Sequence, residues 1–257
     1  MKSYKDFAIS LALGAGKIMR QNFTANMRNM HKEWKEDRTP LTATDLVINQ
    51  LVLETVRTNY KDHGVLTEEE NSFHNEEFVW VCDPVDGTIP FSHGYPTFTF
   101  SLALVHNGRP ILGLLFDPIL NRLVVAESSK GTCLNNKHIR IPYNKSPKPI
   151  IAIEAGSEFN RLRSELMDTG HFVTTFACIT YSAMLVALGE FAGTIWLGKT
   201  PWDGAAVQII IEEAGGVCTN IVGLPQRYDR EVMGLIVGNE QTHSQLKHLI
   251  AAYLFSS

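Results

Sequence analysis

Phe78-Val79-Trp80-Val81-Cys82 runs without a break into Asp83-Pro84-Val85-Asp86-Gly87-Thr88. The first five residues are strand formers with no polar interruption, the pattern of a strand covered on both faces. The next six have the chemistry of a turn and carry two carboxylates. Pro84 stiffens the turn, Asp83 and Asp86 can turn toward one side, and the Val85 carbonyl adds another oxygen. Gly87 removes a side chain where a ligand would approach closely. The amides of Gly87 and Thr88 would open a helix whose N-terminus favours an anion.

Downstream of this stretch, residues 97–106, 111–116 and 123–126 read as antiparallel strands, with Asn107-Gly108 and Asn121-Arg122 in the turns. The expectation is a meander. Upstream, Phe7, Leu11, Ala15, Ile18 and Met19 form a helical stripe. Residues 31–38 are polar, with only Trp34 as an apolar anchor, and read as a mobile loop. Thr44 and Asp45 offer oxygens for a helix start, followed by Leu46, Val47, Leu51, Val52 and Val56 at helical spacing through Tyr60. Val65-Leu66 is a short buried strand that stops at Thr67-Glu68-Glu69-Glu70.

From Pro149 the texture changes to alternating elements: strands at 150–153, 172–176, 194–196, 217–219 and 235–237, with helices at 161–167, 182–188, 202–214 and from Gln241. This half has an α/β rhythm. No linker intervenes, so Tyr143-Asn144-Lys145-Ser146-Pro147 is expected to join two packed halves, 1–145 and 146–257.

The chain has 257 residues, 44% hydrophobic and 19% charged, enough for a sizeable core and against a disordered tail protein. Lys plus Arg total 23 against 27 Asp plus Glu, a net charge of −4, which provides no broad basic surface for nucleic acid. No stretch approaches the roughly 18 apolar residues of a membrane span. Asp6 sits where a signal peptide wants positive charge. Cys82, Cys133, Cys178 and Cys218 form no CxxC pair, and the histidines show no i, i+4 pair. A zinc site is not expected, and a reducing cytoplasm is.

Glu68, Asp83, Asp86 and Asp203 all fall at ends of expected elements. Taken singly each has a bland reading: a solvated charge run, a turn, a helix N-terminal acid. Taken in order after strand ends they suit hard divalent cations, which need oxygen ligands and hold several carboxylates together. A phosphatase of the haloacid dehalogenase type would need nucleophile and acid two residues apart, whereas Asp83 and Asp86 are three apart.

These motifs together resemble the inositol monophosphatase family of Mg²⁺-dependent, lithium-sensitive phosphatases, nearly end to end. Leu41-Thr42-Ala43-Thr44-Asp45 is similar to its first motif, Leu66-Thr67-Glu68-Glu69 to its Gly-Glu-Glu segment, and Asp83 to Thr88 to its signature. Pro201-Trp202-Asp203-Gly204-Ala205-Ala206, leading into Glu213-Ala214-Gly215-Gly216, is similar to its C-terminal motif. The resemblance implies a layered α/β/α/β/α sandwich, shared with fructose bisphosphatases. It implies two to three Mg²⁺ ions, held by Glu68, Asp83 and the Val85 carbonyl at one site and by Asp83, Asp86 and Asp203 at another, with a weaker ion near Glu68. Thr88, oriented by Asp45, would act with Glu68 on the water that attacks phosphorus, with no phosphoenzyme. Asp86, Gly87, Thr88 and Asp203 would border the substrate. A homodimer and a small phosphate ester as partner follow from the same resemblance.

The departures bear on the substrate. Thr67 replaces the usual Gly before the acidic pair, and Ile89-Pro90-Phe91 replaces Thr-Asn-Phe. Inositol-specific members carry a Glu shortly before Trp-Asp, where this chain has Trp196 or Leu197. Cys178-Ile179-Thr180 lacks the family's Gly-Ser-Ala run, with Ser182-Ala183 as a partial substitute. Lys199 is a candidate for a second anionic group. Myo-inositol monophosphate heads the expected substrates, with histidinol phosphate, fructose bisphosphate and phosphoadenosine phosphate as rivals. A non-catalytic regulatory protein on the same fold is the alternative of another class.

Overall fold

The computed structural model describes residues 3–25, 32–34, 40–70, 76–142 and 146–255. Its first half contains α1 (Tyr4–Ala25), β1 (Lys32–Trp34), β2 (Pro40–Thr42), α2 (Ala43–Asn59), β3 (Gly64–Thr67), β4 (Phe78–Asp86) and α3 (Thr88–His93). A meander follows, made of β5 (Thr99–His106), β6 (Arg109–Asp117), β7 (Arg122–Glu127), β8 (Gly131–Leu134) and β9 (Lys137–Ile139). The second half runs β10 (Ile150–Glu154), α4 (Asn160–Asp168), β11 (Phe172–Thr174), α5 (Ile179–Ala187), β12 (Gly193–Trp196), α6 (Pro201–Glu213), β13 (Val217–Thr219), β14 (Leu235–Gly238) and α7 (Glu240–Phe255).

The two-residue period of β4 decides the layering. Trp80 and Cys82 enter one apolar core with Phe7, Leu11, Ile48 and Val52 of α1 and α2. Val79 and Val81 enter another, with residues of α5 and α6. Both faces of the seven-stranded sheet, ordered β3-β4-β5-β6-β7-β8-β9, are therefore covered. That is why β4 reads as a continuous apolar run. The five-stranded sheet β11-β10-β12-β14-β13 packs one face on α5 and α6 and the other on α4 and α7, through Ile151, Ile153, Leu162 and Leu246. Helices, sheet, helices, sheet, helices is the expected five-layer order.

Asn107 and Gly108 both take positive φ, 51° and 80°, the primed hairpin geometry that fits strand twist. Some expectations are corrected. Lys32–Trp34, read as part of a loop, pairs antiparallel with Pro40–Thr42; His31 and residues 35–38 lie outside the described residues, as do Tyr143 to Lys145. The cap of α2 is Thr42 rather than Thr44 or Asp45, because Thr42 and Asp45 close a reciprocal capping box. α5 begins three residues earlier than its apolar pattern suggested, at Ile179. β4 does not stop at Cys82 but continues through the acidic stretch to Asp86. Among the described residues no helix is long and apolar enough to cross a membrane. All four cysteines are free thiols.

Candidate active site

Residues three apart on a strand point to opposite faces, so an undistorted β4 would separate Asp83 from Asp86. The ladder prevents this. Asp83 pairs with Ser101 and Asp86 with Thr99, so three steps on β4 oppose two on β5, and the register shift sits between the acids. A bulge of one residue turns both carboxylates to the same side; Pro84, which has no N–H to give a ladder, and Val85, whose N–H goes to Asp83, lie within it. Asp203 arrives from the first turn of α6, where the hydroxyl of Thr200 hydrogen-bonds its carboxylate. One oxygen from each of Asp83, Asp86 and Asp203 lies within 4.8 Å of the others.

The electrostatics of this cluster are unfavourable as it stands. Burial pushes Asp83 well above the usual carboxylate range, and the charges of Glu68, Asp86, Asp203 and Asp45 push it further. Burial also raises Asp86, against hydrogen bonds from Thr180 that favour its charged form. Among the described residues Asp83 has one hydrogen-bond donor, the Val85 N–H at 2.9 Å. Three acids converging within 4.8 Å fit a hard divalent cation, whose charge inverts the repulsion. Glu68 is not one of the tight group of three. Its backbone N–H donates to the Cys82 carbonyl at 3.3 Å, beside Asp83, and it is the largest charge acting on Asp83.

Asp45 is completely buried. Its Oδ2 accepts from the Thr42 N–H at 3.0 Å and from the Thr42 hydroxyl, which fixes the carboxylate on α2. Its Oδ1 lies 3.3 Å from the Thr88 hydroxyl, which is also 3.0 Å from the Val85 carbonyl. The single Thr88 proton thus has two acceptors, and the hydroxyl oxygen keeps its lone pairs. Gly87 caps α3 at φ 90°, and a Cβ there would lie 2.8 Å from the Thr97 carbonyl, so no other residue fits without movement. Lys199 is exposed, with its carbonyl bonded to the Val232 N–H, and is not among the residues lining the cavity beside Asp86 and Asp203.

The inositol monophosphatase family model matches residues 1–256. The chain belongs to the inositol monophosphatase family. Its members are metal-dependent phosphoric monoester hydrolases, and the acid cluster is where this chain can hold such a metal. The chain is 27% identical to a fructose-1,6-bisphosphatase/inositol-1-monophosphatase of Aquifex aeolicus, over 99% of this chain and 97% of that one. A Nus factor SuhB of Xylella fastidiosa is 26% identical over 95% and 93% of the two chains. The solved inositol monophosphatase of Thermotoga maritima superimposes with a TM-score of 0.89 at 26% identity, covering 99% of each chain.

Within this family frame the departures acquire physical roles. Thr67, in place of Gly, accepts the Glu70 N–H on its hydroxyl at 3.0 Å and closes the turn that carries Glu68. Pro90 is the third residue of α3, a first-turn position whose N–H would have no partner within the helix. Thr180 supplies what Cys178-Ile179-Thr180 lacked on paper: its N–H and hydroxyl both donate to Asp86 Oδ2, at 2.7 and 2.5 Å.

Two residues escaped the sequence reading. Glu154, the last residue of β10, accepts from the Phe176 N–H (3.0 Å), the Ser182 hydroxyl (2.6 Å), the Thr175 hydroxyl (2.8 Å) and the Ala177 N–H (2.9 Å). It shapes the approach to α5 and with it the position of Thr180. The signal was available, since Ile150 to Ile153 followed by Glu154 is again an apolar strand ending on an acid. Thr180 was visible only as a departure from a motif.

Proposed function

We propose that the chain hydrolyses the phosphate monoester of a small alcohol with Mg²⁺. The observation that carries this reading is the meeting of Asp83, Asp86 and Asp203 within 4.8 Å, from elements 120 positions apart, with Glu68 acting on Asp83 from beside them. When bound, Mg²⁺ would neutralise the ester's charge and acidify water. Glu68, Asp83 and the Val85 carbonyl, and Asp83, Asp86 and Asp203, are the two sets that would hold it. Thr88 accepts a proton from the attacking water at its Oγ while passing its own to Asp45 Oδ1, with Glu68 as the second acceptor. As the water oxygen bonds to phosphorus the P–O bond to the alcohol breaks, the leaving alkoxide takes a proton from solvent water, and Asp45 returns its proton to solvent as phosphate departs. The Gly87 and Thr88 amides border the phosphate, and no phosphoenzyme is formed.

The cavity beside Asp86 and Asp203 is about 260 Å³, which suits a small alcohol rather than a polymer. Myo-inositol monophosphate, histidinol phosphate, fructose bisphosphate and phosphoadenosine phosphate are the esters to compare. A homodimer and inhibition by lithium belong to the same reading. In it the halves 1–145 and 146–257 both build the site, the second through Asp203.

The test is phosphate release from a panel of monoesters, with Mg²⁺ and with chelator. Hydrolysis that requires Mg²⁺ and is lost in Asp203→Asn with unchanged circular dichroism supports the proposal; full turnover in that variant sinks it. The similarity to a Nus factor favours a second reading, a regulatory protein on this fold. A protein that serves only as a binding partner would hydrolyse no ester in the panel.

A further inference from the structure

The cavity that holds Asp86 and Asp203 continues along Glu154, Thr175, Ala177, Ile179 and Trp196. Glu154 is the polar group that would first be assigned to reading hydroxyls, and its hydrogen bonds rule that out. Each carboxylate oxygen accepts two protein donors: Oε1 from Phe176 N–H and Ser182, Oε2 from Thr175 and Ala177 N–H. A carboxylate has about four acceptor sites, and here the protein fills them. Thr175 has spent its proton on Glu154 as well. The Ala177 amide, in a left-handed conformation at φ 53°, is held by the same carboxylate. The fold itself thus uses the acceptors of Glu154 and the proton of Thr175, leaving the Thr175 oxygen only as an acceptor.

Apart from the two acids, the side chains that remain are Ala155, Cys178, Ile179 and the Trp196 indole, the largest and apolar but for its Nε1–H. Trp196 is the last residue of β12, paired with Glu154 on one side and Leu235 on the other, so its backbone is fixed in the middle of a sheet. A Cβ on Gly198 would lie 1.9 Å from Trp196 Cζ2 and 2.3 Å from Cε2, so the ring rests on the bare Gly198 backbone. The indole, partly buried against the core that includes α5 and α6, is thus held at a fixed place on the cavity wall. A polyol entering here would find as side-chain partners only the Thr175 oxygen, the Trp196 Nε1–H and the acids, and each hydroxyl group left unpaired would cost about 1–3 kcal/mol. An alcohol with a flat ring would lie on the indole, and an aromatic platform of this kind stabilises a stacked base by about 1–3 kcal/mol.

We infer that Trp196 is the surface that selects the alcohol, and that the chain takes monoesters whose alcohol carries a flat aromatic or heteroaromatic ring ahead of polyol phosphates. This rests on the phosphatase reading and names its substrate class.

The experiment compares benzyl phosphate with ethyl, glycerol and myo-inositol phosphates, whose alcohols are all poor leaving groups, with Mg²⁺ present. The wild-type kcat/KM for benzyl phosphate is expected to exceed the others by on the order of tenfold. The benzyl-to-ethyl ratio should collapse in Trp196→Ala through KM and persist in Trp196→Phe. A second arm reads the wall without turnover, as calorimetric binding of benzylphosphonate against ethylphosphonate. Equal or polyol-favouring kcat/KM, or a benzyl-to-ethyl ratio unchanged in Trp196→Ala, overturns the inference while leaving the phosphatase reading intact. A phosphonate preference erased by Trp196→Ala in a protein that hydrolyses no ester upholds Trp196 as the selecting surface, but overturns the phosphatase reading and with it the claim of monoester turnover. Should Trp196→Ala fail to fold, Trp196→Phe and the wild-type preference still decide.

Discussion

Asp83 and Glu154 are carboxylates of similar burial, 3% and 8% exposed, each reached from an apolar strand, and the fold treats them in opposite ways. Glu154 is surrounded by four donors. Asp83 has one donor and several other acids. A buried carboxylate with a full set of hydrogen bonds is a structural part, complete without help. One left short of donors among its own kind is costly unless a cation completes it. The difference separates scaffold from site more sharply than burial or charge does.

The largest test sets the signs of two substitutions against each other. Asp83→Asn should lower turnover by at least about 10²-fold, the scale for losing one stabiliser of transition-state charge. In metal-free protein it should raise stability by about 1–3 kcal/mol, because a neutral amide removes a buried charge from a repelling cluster. Urea denaturation with chelator measures the second effect. The pH dependence has a definite sign. Folded Asp83 holds its proton above 3.8, the value it has when unfolded, so the folded state binds more protons than the unfolded chain in that window. Metal-free wild type should lose stability relative to Asp83→Asn as pH rises from about 4 through the raised value, by up to about 1.4 kcal/mol per pH unit. A gap that narrows as pH rises would show that Asp83 is compensated.

Glu154→Gln should do the reverse. The amide keeps one acceptor oxygen, but its NH₂ faces donors, which strands the Ala177 N–H or its neighbours. The expected cost is about 2–3 kcal/mol of stability, with or without Mg²⁺. Stabilisation by this variant would break the contrast, since Glu154 would then also be an acid waiting for a cation.

Thr180→Val comes next. It keeps the shape and the backbone N–H to Asp86 while removing the hydroxyl bond, so Mg²⁺ affinity should fall about 10-fold, at the low end for groups that orient a ligand. Calorimetric Mg²⁺ titration in the presence of phosphate measures it. A loss of turnover with Mg²⁺ affinity unchanged would mean that Thr180 orients Asp86 toward the substrate instead.

How much of this was legible follows from where the determinants lie. Asp83, Pro84, Val85 and Asp86 are contiguous, and their chemistry is local, so the strand, the acids and the turn could be read directly. The bulge that brings Asp83 and Asp86 to one side could not, because it is set by the pairing of Asp86 with Thr99, a non-local event. Asp203 was readable because Pro201-Trp202-Asp203 opens a helix. Glu154 is visible as an acid at a strand end, but its role is not, because its donors lie 21 to 28 residues further on. The start of α5 was missed for a related reason. Thr180 is polar in the pattern yet turns inward to Asp86, so the apolar pattern alone starts the helix later, at Ser182.

The smallest effect belongs to Thr67, which touches neither acid directly. Its hydroxyl accepts the Glu70 N–H at 3.0 Å, and its N–H donates to the Glu70 carbonyl at 3.3 Å, so the turn holding Glu68 is closed twice from one residue. Thr67→Gly removes one of these bonds and frees the backbone, at a cost of about 1 kcal/mol. Thr67→Ser keeps the hydroxyl and should recover most of it. Because the remaining bond still fixes the start of the turn, Glu68 should stay beside Asp83 and turnover should fall less than in Thr180→Val. A larger loss of turnover than of stability in Thr67→Gly would place the fine position of Glu68 under the control of this hydroxyl. The acidic edge would then share with Glu154 the habit of building its geometry from side-chain hydrogen bonds.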